Sequence, residues 1–238
     1  MNDPVGSAGH RQGERVSWVE RAVSVMVTED GVSANHGEGS VGVYGAGRGF
    51  RWLLLVAGVV GFVASFDLVV EKFALLKDPS YELSCNINPL LSCGSVVVTP
   101  QAEVFGFPNP LLGVAGFSVV ITVAMALFAG GRFRRWFWVG LCVGSGLGMV
   151  FVVWLIFQSL YRIGALCPYC MVVWTVTVPI FLFSVREVLG QSAAGPNTVR
   201  GMLMSTYRRW TWLWVVVCYV VVVALIGIRF ADFWVTVF

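Results

Sequence analysis

The sequence predicts an all-α integral membrane protein: a four-helix transmembrane bundle with a cysteine-bearing outer loop, plus a fifth transmembrane helix. Three observations predict it. First, the 238 residues are 57% hydrophobic and only 12% charged, where soluble domains carry roughly a quarter charged residues. Second, five apolar runs, at about 52–70, 109–129, 136–160, 165–184 and 210–228, each reach the ~20 residues that cross a bilayer. Third, Lys and Arg alternate between the gaps that separate those runs. Mean hydropathy is +0.79. The net charge of +3 carries no basic aromatic patch of the kind that binds nucleic acid.

Taken in order, residues 1–48 are Gly-, Ser- and Val-rich with scattered charge. They read as a disordered cytoplasmic tail. No secretory signal pattern is visible there, so the first apolar run is expected to act as an uncleaved targeting signal. The segment 71–108 is too long for a bare connector. Its prolines at 79, 89, 100 and 108, with Pro110 just beyond, break it into short pieces, expected to fold over the mouth of the bundle. "GRFRRW" and "YRIGALC" are tight turns on opposite sides. The expected units are a core over 49–185, a polar cytoplasmic linker over 186–209, and the fifth helix with an outer C-terminus over 210–238. That helix, "WTWLWVVVCYVVVVALIGI", is rich in β-branched residues. In lipid a lone strand leaves its backbone unpaired, so the run reads as helix.

A cytoplasmic N-terminus puts Arg11, Arg15, Arg21, Arg48, Arg51, Arg132, Arg134, Arg135, Arg186, Arg200, Arg208 and Arg209 inside. Only Lys72, Lys77, Arg162 and Arg229 then fall outside. This orientation satisfies the positive-inside rule. The chain is then expected to be a multi-pass protein of the cell (plasma) membrane with both close cysteine pairs on the external side.

Those pairs are Cys85/Cys93 in the long loop and Cys167/Cys170 at the outer end of the fourth run. Disulfides persist on the oxidising side of a membrane. In "CPYC", Cys167 falls at a helix N-cap and Pro168 at the first helical position. A thiol there feels the positive end of the helix dipole and loses its proton more readily. Cys170 lies three residues on, with β-carbons about 5–6 Å apart on a regular helix. A disulfide needs ~3.5–4.5 Å, so a small adjustment closes the ring. A dithiol that opens and closes suits redox exchange. The same residues also admit a zinc knuckle or two structural disulfides. Cys142 and Cys218 sit deep in the third and fifth runs and read as small apolar packing groups.

The spacing C-x7-C in the first outer loop followed by C-x2-C opening the fourth helix resembles the vitamin K epoxide reductase family. The likeness covers roughly residues 50–185. Its anchors are "SCNINPLLSCGSVVVTP", "VFGFPNPLLG" and "LCPYC". Of these, "FGFPNPLLG" is similar to the bacterial, especially actinobacterial, form. The resemblance implies a quinone-linked thiol oxidoreductase. Cys170 would face a membrane quinone, menaquinone or another, as electron acceptor. Cys167 would exchange with Cys93. Cys85 would meet the thiols of a separate DsbA-like thioredoxin-fold partner that makes disulfides in exported proteins. Six residues past Cys93, Thr99 matches a favoured Ser/Thr. Four past Cys170, Trp174 stands where many members have a quinone-contacting Tyr; it donates through an indole N–H instead. The Asn that some members use for the other quinone contact has no counterpart placed in the sequence.

Two alternatives remain open on the sequence. One is a dithiol-driven quinone or vitamin K epoxide reductase. The other is a non-catalytic bundle stapled by disulfides. Asp67 reads as an interface charge or a proton relay. Gly140, Gly144 and Gly148 form an i+4 stripe expected at a close helix contact. Pro179 is expected to kink the fourth helix, and Arg162 to stand beside CPYC. His10 and His36 have no evident role.

Overall fold

The computed structural model describes residues 43–87, 90–191 and 199–231. The tail expectation for 1–48 lies outside the described residues up to position 42. Of its last residues, Val43–Tyr44 form strand β1, which pairs antiparallel with β2 (Phe133–Arg134). Residues 192–198 of the expected linker and 232–238 of the C-terminus also lie outside the described residues.

Five helices are long and apolar enough to cross a membrane among the described residues. They are α1 (Arg48–Lys77), α3 (Pro110–Phe128), α4 (Arg135–Phe157, continued by a wider turn over Gln158–Ile163), α5 (Pro168–Gly190) and α7 (Thr211–Arg229). The chain is an all-α membrane protein, as the sequence predicts. Between them lie the short helix α2 (Cys93–Val97), a 3-10 turn (Pro100–Glu103) and α6 (Val199–Arg209).

The first helix runs on to Lys77, past its predicted end at 70. Glu71, Lys72 and Lys77 read as the close of an apolar run, yet all three are helical. Glu71 and Lys72 are buried and bonded to the loop that follows. Tertiary bonds thus keep the helix going where hydropathy falls. Asp67 consequently lies inside the helix, half-buried.

Helix α1 packs on α3 and α5, and α5 packs on α4. The α1–α3 contact is made by glycine. A Cβ at Gly61 would lie 2.5 Å from the Phe117 ring, and one at Gly58 would lie 2.9 Å from Ile121. Bare backbone at these points lets the helices close. The Gly140–Gly148 stripe behaves otherwise. A Cβ at Gly140 or Gly144 meets no atom within 4 Å, and at Gly148 only the Thr177 methyl at 3.9 Å. Close packing is therefore carried by Gly58 and Gly61, and the stripe on α4 faces open space.

Pro179 sits inside α5. Proline has no N–H to give the carbonyl four residues back. That carbonyl, Thr175 O, instead accepts a 2.6 Å bond from the Tyr219 hydroxyl of α7. A freed carbonyl in a membrane helix needs such a partner. At its other end α7 reaches the cysteine-bearing tip, where Arg229 Nε donates to Leu160 O at 3.0 Å. The fifth helix is thus docked on α5 and on the turn before CPYC.

Candidate active site at the cysteine end of the bundle

The turn over Gln158–Ile163 ends at Gly164, whose φ of +73° favours glycine. The chain then runs extended through Leu166. This piece pairs with the cysteine loop: Leu166 N donates to Leu90 O at 2.8 Å, and Ser92 N donates to Leu166 O at 3.0 Å. Ser92 also caps α2, accepting from Ser95 N at 3.2 Å. Asn86 stitches the loop internally, its Oδ1 accepting from Ser92 Oγ at 2.9 Å and Gly94 N at 3.0 Å. These bonds bring two segments far apart in sequence to one point.

At that point the cysteines meet. Cys85 and Cys93 form a disulfide, with α-carbons 5.6 Å apart. Cys167 and Cys170 are free thiols. Cys167 Sγ lies 3.2 Å from Cys93 Sγ, and both residues are wholly buried. Leu68, Leu83 and Val97 pack around them. Cys167 caps α5: its sulfur accepts from Cys170 N at 3.5 Å. The Cys170 thiol, and then the backbone N–H groups of Cys170 and Tyr169, hold the Cys167 thiol below the usual cysteine range, against the opposing effect of burial. A thiol that ionises readily beside a disulfide sulfur is arranged for exchange.

Behind Cys170 opens a cavity of about 630 Å³, walled by α1, α3, α4 and α5. Its polar lining includes Thr99, Gln101, Asn109, Gln158 and Ser159; Gly140, Gly144 and Gly148 line it too. Cys170 is on its wall, whereas Cys167 is turned to Cys93.

The family model described as the vitamin K epoxide reductase family matches residues 52–185, more than half of the chain. The chain belongs to the vitamin K epoxide reductase family. The family's general activity is that of membrane oxidoreductases linking a disulfide relay to a quinone. Comparison with curated proteins finds no match.

Of the remaining expected residues, Thr99 and Trp174 line this cavity, and Arg162, Cys142 and Cys218 do not. Thr99 lines it, but its hydroxyl donates to Val96 O at 2.7 Å, so it braces the loop. Trp174 lines it as well and is buried, and its indole N–H has no partner among the described residues. Arg162 is exposed, and the arginine bonded to this turn is Arg229. Cys142 and Cys218 are half-buried, in α4 and α7.

Sequence reasoning missed Asn109. It is buried on the cavity wall, held by Nδ2–H to Gln101 O at 2.7 Å and by Val104 N to Oδ1 at 3.2 Å. Between two prolines in "FPNP" it reads as turn chemistry. The signal that could have found it is its place immediately before a membrane helix, at the same end as the cysteines.

Proposed function

We propose that this chain is a quinone-dependent thiol oxidase that reoxidises a DsbA-like thioredoxin-fold partner on the external face of the cell membrane. One observation carries the reading: Cys93 and Cys167 approach to 3.2 Å while Cys170 borders a large cavity. Two separately stapled disulfides would not need this contact.

A partner thiolate attacks the Cys85–Cys93 disulfide at Cys85, and the partner's second thiol resolves the mixed disulfide. The partner leaves oxidised and the loop becomes a dithiol. Cys93 thiolate then attacks Cys167 of a closed Cys167–Cys170 disulfide, and Cys170 departs as thiolate. Cys85 attacks Cys93 and restores the loop disulfide, releasing Cys167. The pair Cys167/Cys170 now holds two electrons, and a quinone beside Cys170 takes them with two protons.

The residues present suit a quinone. The unpartnered Trp174 N–H and the Asn109 amide are the polar groups for its carbonyl oxygens. The glycines at 140, 144 and 148 leave room along α4 for an apolar tail, as in menaquinone. The cavity's other residues are mostly hydrocarbon, which excludes water from the reacting pair. The chemistry the quinone supplies is acceptance of a pair of electrons. For such a couple each 30 mV is worth about 1.4 kcal/mol.

The test is a coupled assay in lipid, with a reduced thioredoxin-fold oxidase as donor and menaquinone as acceptor. The reading expects partner oxidation and quinone reduction in equal amounts, abolished by alanine at any of Cys85, Cys93, Cys167 or Cys170. Quinone reduction by a small dithiol with no oxidation of any thioredoxin-fold protein would favour the quinone reductase alternative instead.

A further inference from the structure

Two charged residues near the end of a membrane helix are buried here, and no exchange step of the relay uses either, although Lys72 also reaches the wall of the cavity behind Cys170. Glu71 and Lys72 are each 8% exposed. Their bonds run to opposite arms of the cysteine loop. Glu71 Oε1 accepts from Ser84, through both the backbone N–H at 3.3 Å and the hydroxyl. Ser84 immediately precedes Cys85. Lys72 Nζ donates to Val97 O at 2.8 Å and pairs with Glu103 at 2.9 Å. Val97 ends the short helix that begins at Cys93.

We propose that Glu71 and Lys72 are positioning residues for the Cys93–Cys167 exchange, tying the two arms of the cysteine loop to α1 on either side of its disulfide. The proposal rests on the relay reading above.

Burial of a charged group is unfavourable unless bonds repay it. Glu71 Oε2 is buried with no partner among the described residues, so packing alone does not account for a carboxyl group here. The contacts are also placed for leverage. One tie is next to Cys85, and the other is at the far end of the helix that carries Cys93. The loop's other attachment, to Leu166, leads directly into Cys167. With α1 holding one side and Leu166 the other, Cys93 has little freedom to leave Cys167. Exchange between held groups depends steeply on that freedom, because effective concentration falls as the geometry loosens.

The experiment uses the full chain in lipid with Cys85→Ala, which leaves Cys93 without its loop partner. After oxidation by menaquinone, the Cys93–Cys167 crosslink is quantified by non-reducing mass spectrometry. In that background Glu71→Leu or Lys72→Met is expected to lower the crosslinked fraction about tenfold, as the effective concentration of Cys93 drops. Glu71→Gln still accepts from Ser84 and Lys72→Arg still donates to Val97 O, so both are expected to restore the crosslink.

A second measurement separates positioning from folding. A Cys85→Ala/Cys93→Ala chain passes electrons from dithiothreitol through Cys167/Cys170 to a short-tailed naphthoquinone, without the loop. Adding Glu71→Leu is expected to leave that rate unchanged. An unaltered crosslink in both apolar variants overturns the proposal. So does a parallel loss of crosslink and loop-free quinone reduction, which would make the pair a general support of the bundle. Absence of the crosslink with Glu71 and Lys72 intact contradicts the relay itself and takes this proposal with it.

Discussion

Two helix boundaries in this bundle are lined by glycine and do opposite things. Between α1 and α3, Gly58 and Gly61 admit a neighbour so closely that a Cβ would overlap it. Along α4, Gly140 and Gly144 admit nothing, and the space they leave is part of the cavity behind Cys170. Glycine content alone does not tell a seam from a groove. What decides it is whether the facing helix presents a large side chain at the same level, as α3 presents Phe117.

The largest effect is expected at the seam. Gly61→Leu should overpack against Phe117 by about 1–3 kcal/mol or more, read as a lower unfolding midpoint in detergent and loss of all relay activity. The groove should respond in the reverse sense. Gly144→Leu should leave stability within about 0.5 kcal/mol, as at sites that touch no packed neighbour. It should instead raise the KM for menaquinone about tenfold, since a loss of about 1.4 kcal/mol in binding is a factor of ten. Equal stability losses at both positions would erase the distinction.

Smaller effects sharpen it. Trp174→Phe removes the unpartnered indole N–H and keeps an aromatic wall. Loss of one hydrogen bond to the quinone, about 0.5–1.5 kcal/mol, predicts a several-fold fall in quinone reduction with the Cys93–Cys167 crosslink intact. Tyr219→Phe frees the Thr175 carbonyl opposite Pro179. It should cost about 1 kcal/mol of stability and leave the quinone KM as it was.

The pH dependence follows from Cys167, which lies just outside the span of α5. Its thiol is held low chiefly by the Cys170 thiol. A lowered value means the thiolate persists to lower pH. Alkylation of Cys167 in a Cys93→Ala chain should therefore have its midpoint below that of an unperturbed cysteine, and Cys170→Ala should move that midpoint up.

How much of this was legible in the sequence depended on range. The five spans followed from length and hydropathy, which are local, and three of them ended within a few residues of expectation, while α1 and α5 ran on to Lys77 and Gly190. The four cysteines were legible because their spacing and the alternation of charge put both pairs at one end. What depended on partners distant in the chain was not. Glu71 and Lys72 looked like the end of a helix because their bonds to Ser84, Val97 and Glu103 are tertiary. Asn109 looked like a turn because its cavity exists only once four helices assemble. The stripe at 140–148 has the spacing of a packing motif, and only the assembled bundle shows that Gly140 and Gly144 face open space. Val43–Tyr44 had no strand signal, because its pairing partner lies far along the chain at Phe133–Arg134.

The most direct measurement of the central claim is disulfide mapping of the Cys85→Ala chain in lipid under non-reducing conditions, after oxidation by menaquinone. The relay predicts a Cys93–Cys167 crosslink, with Cys170 left as a free thiol. A free Cys93 beside a closed Cys167–Cys170 pair that never exchanges with it would contradict the relay and leave a bundle merely stapled by its cysteines.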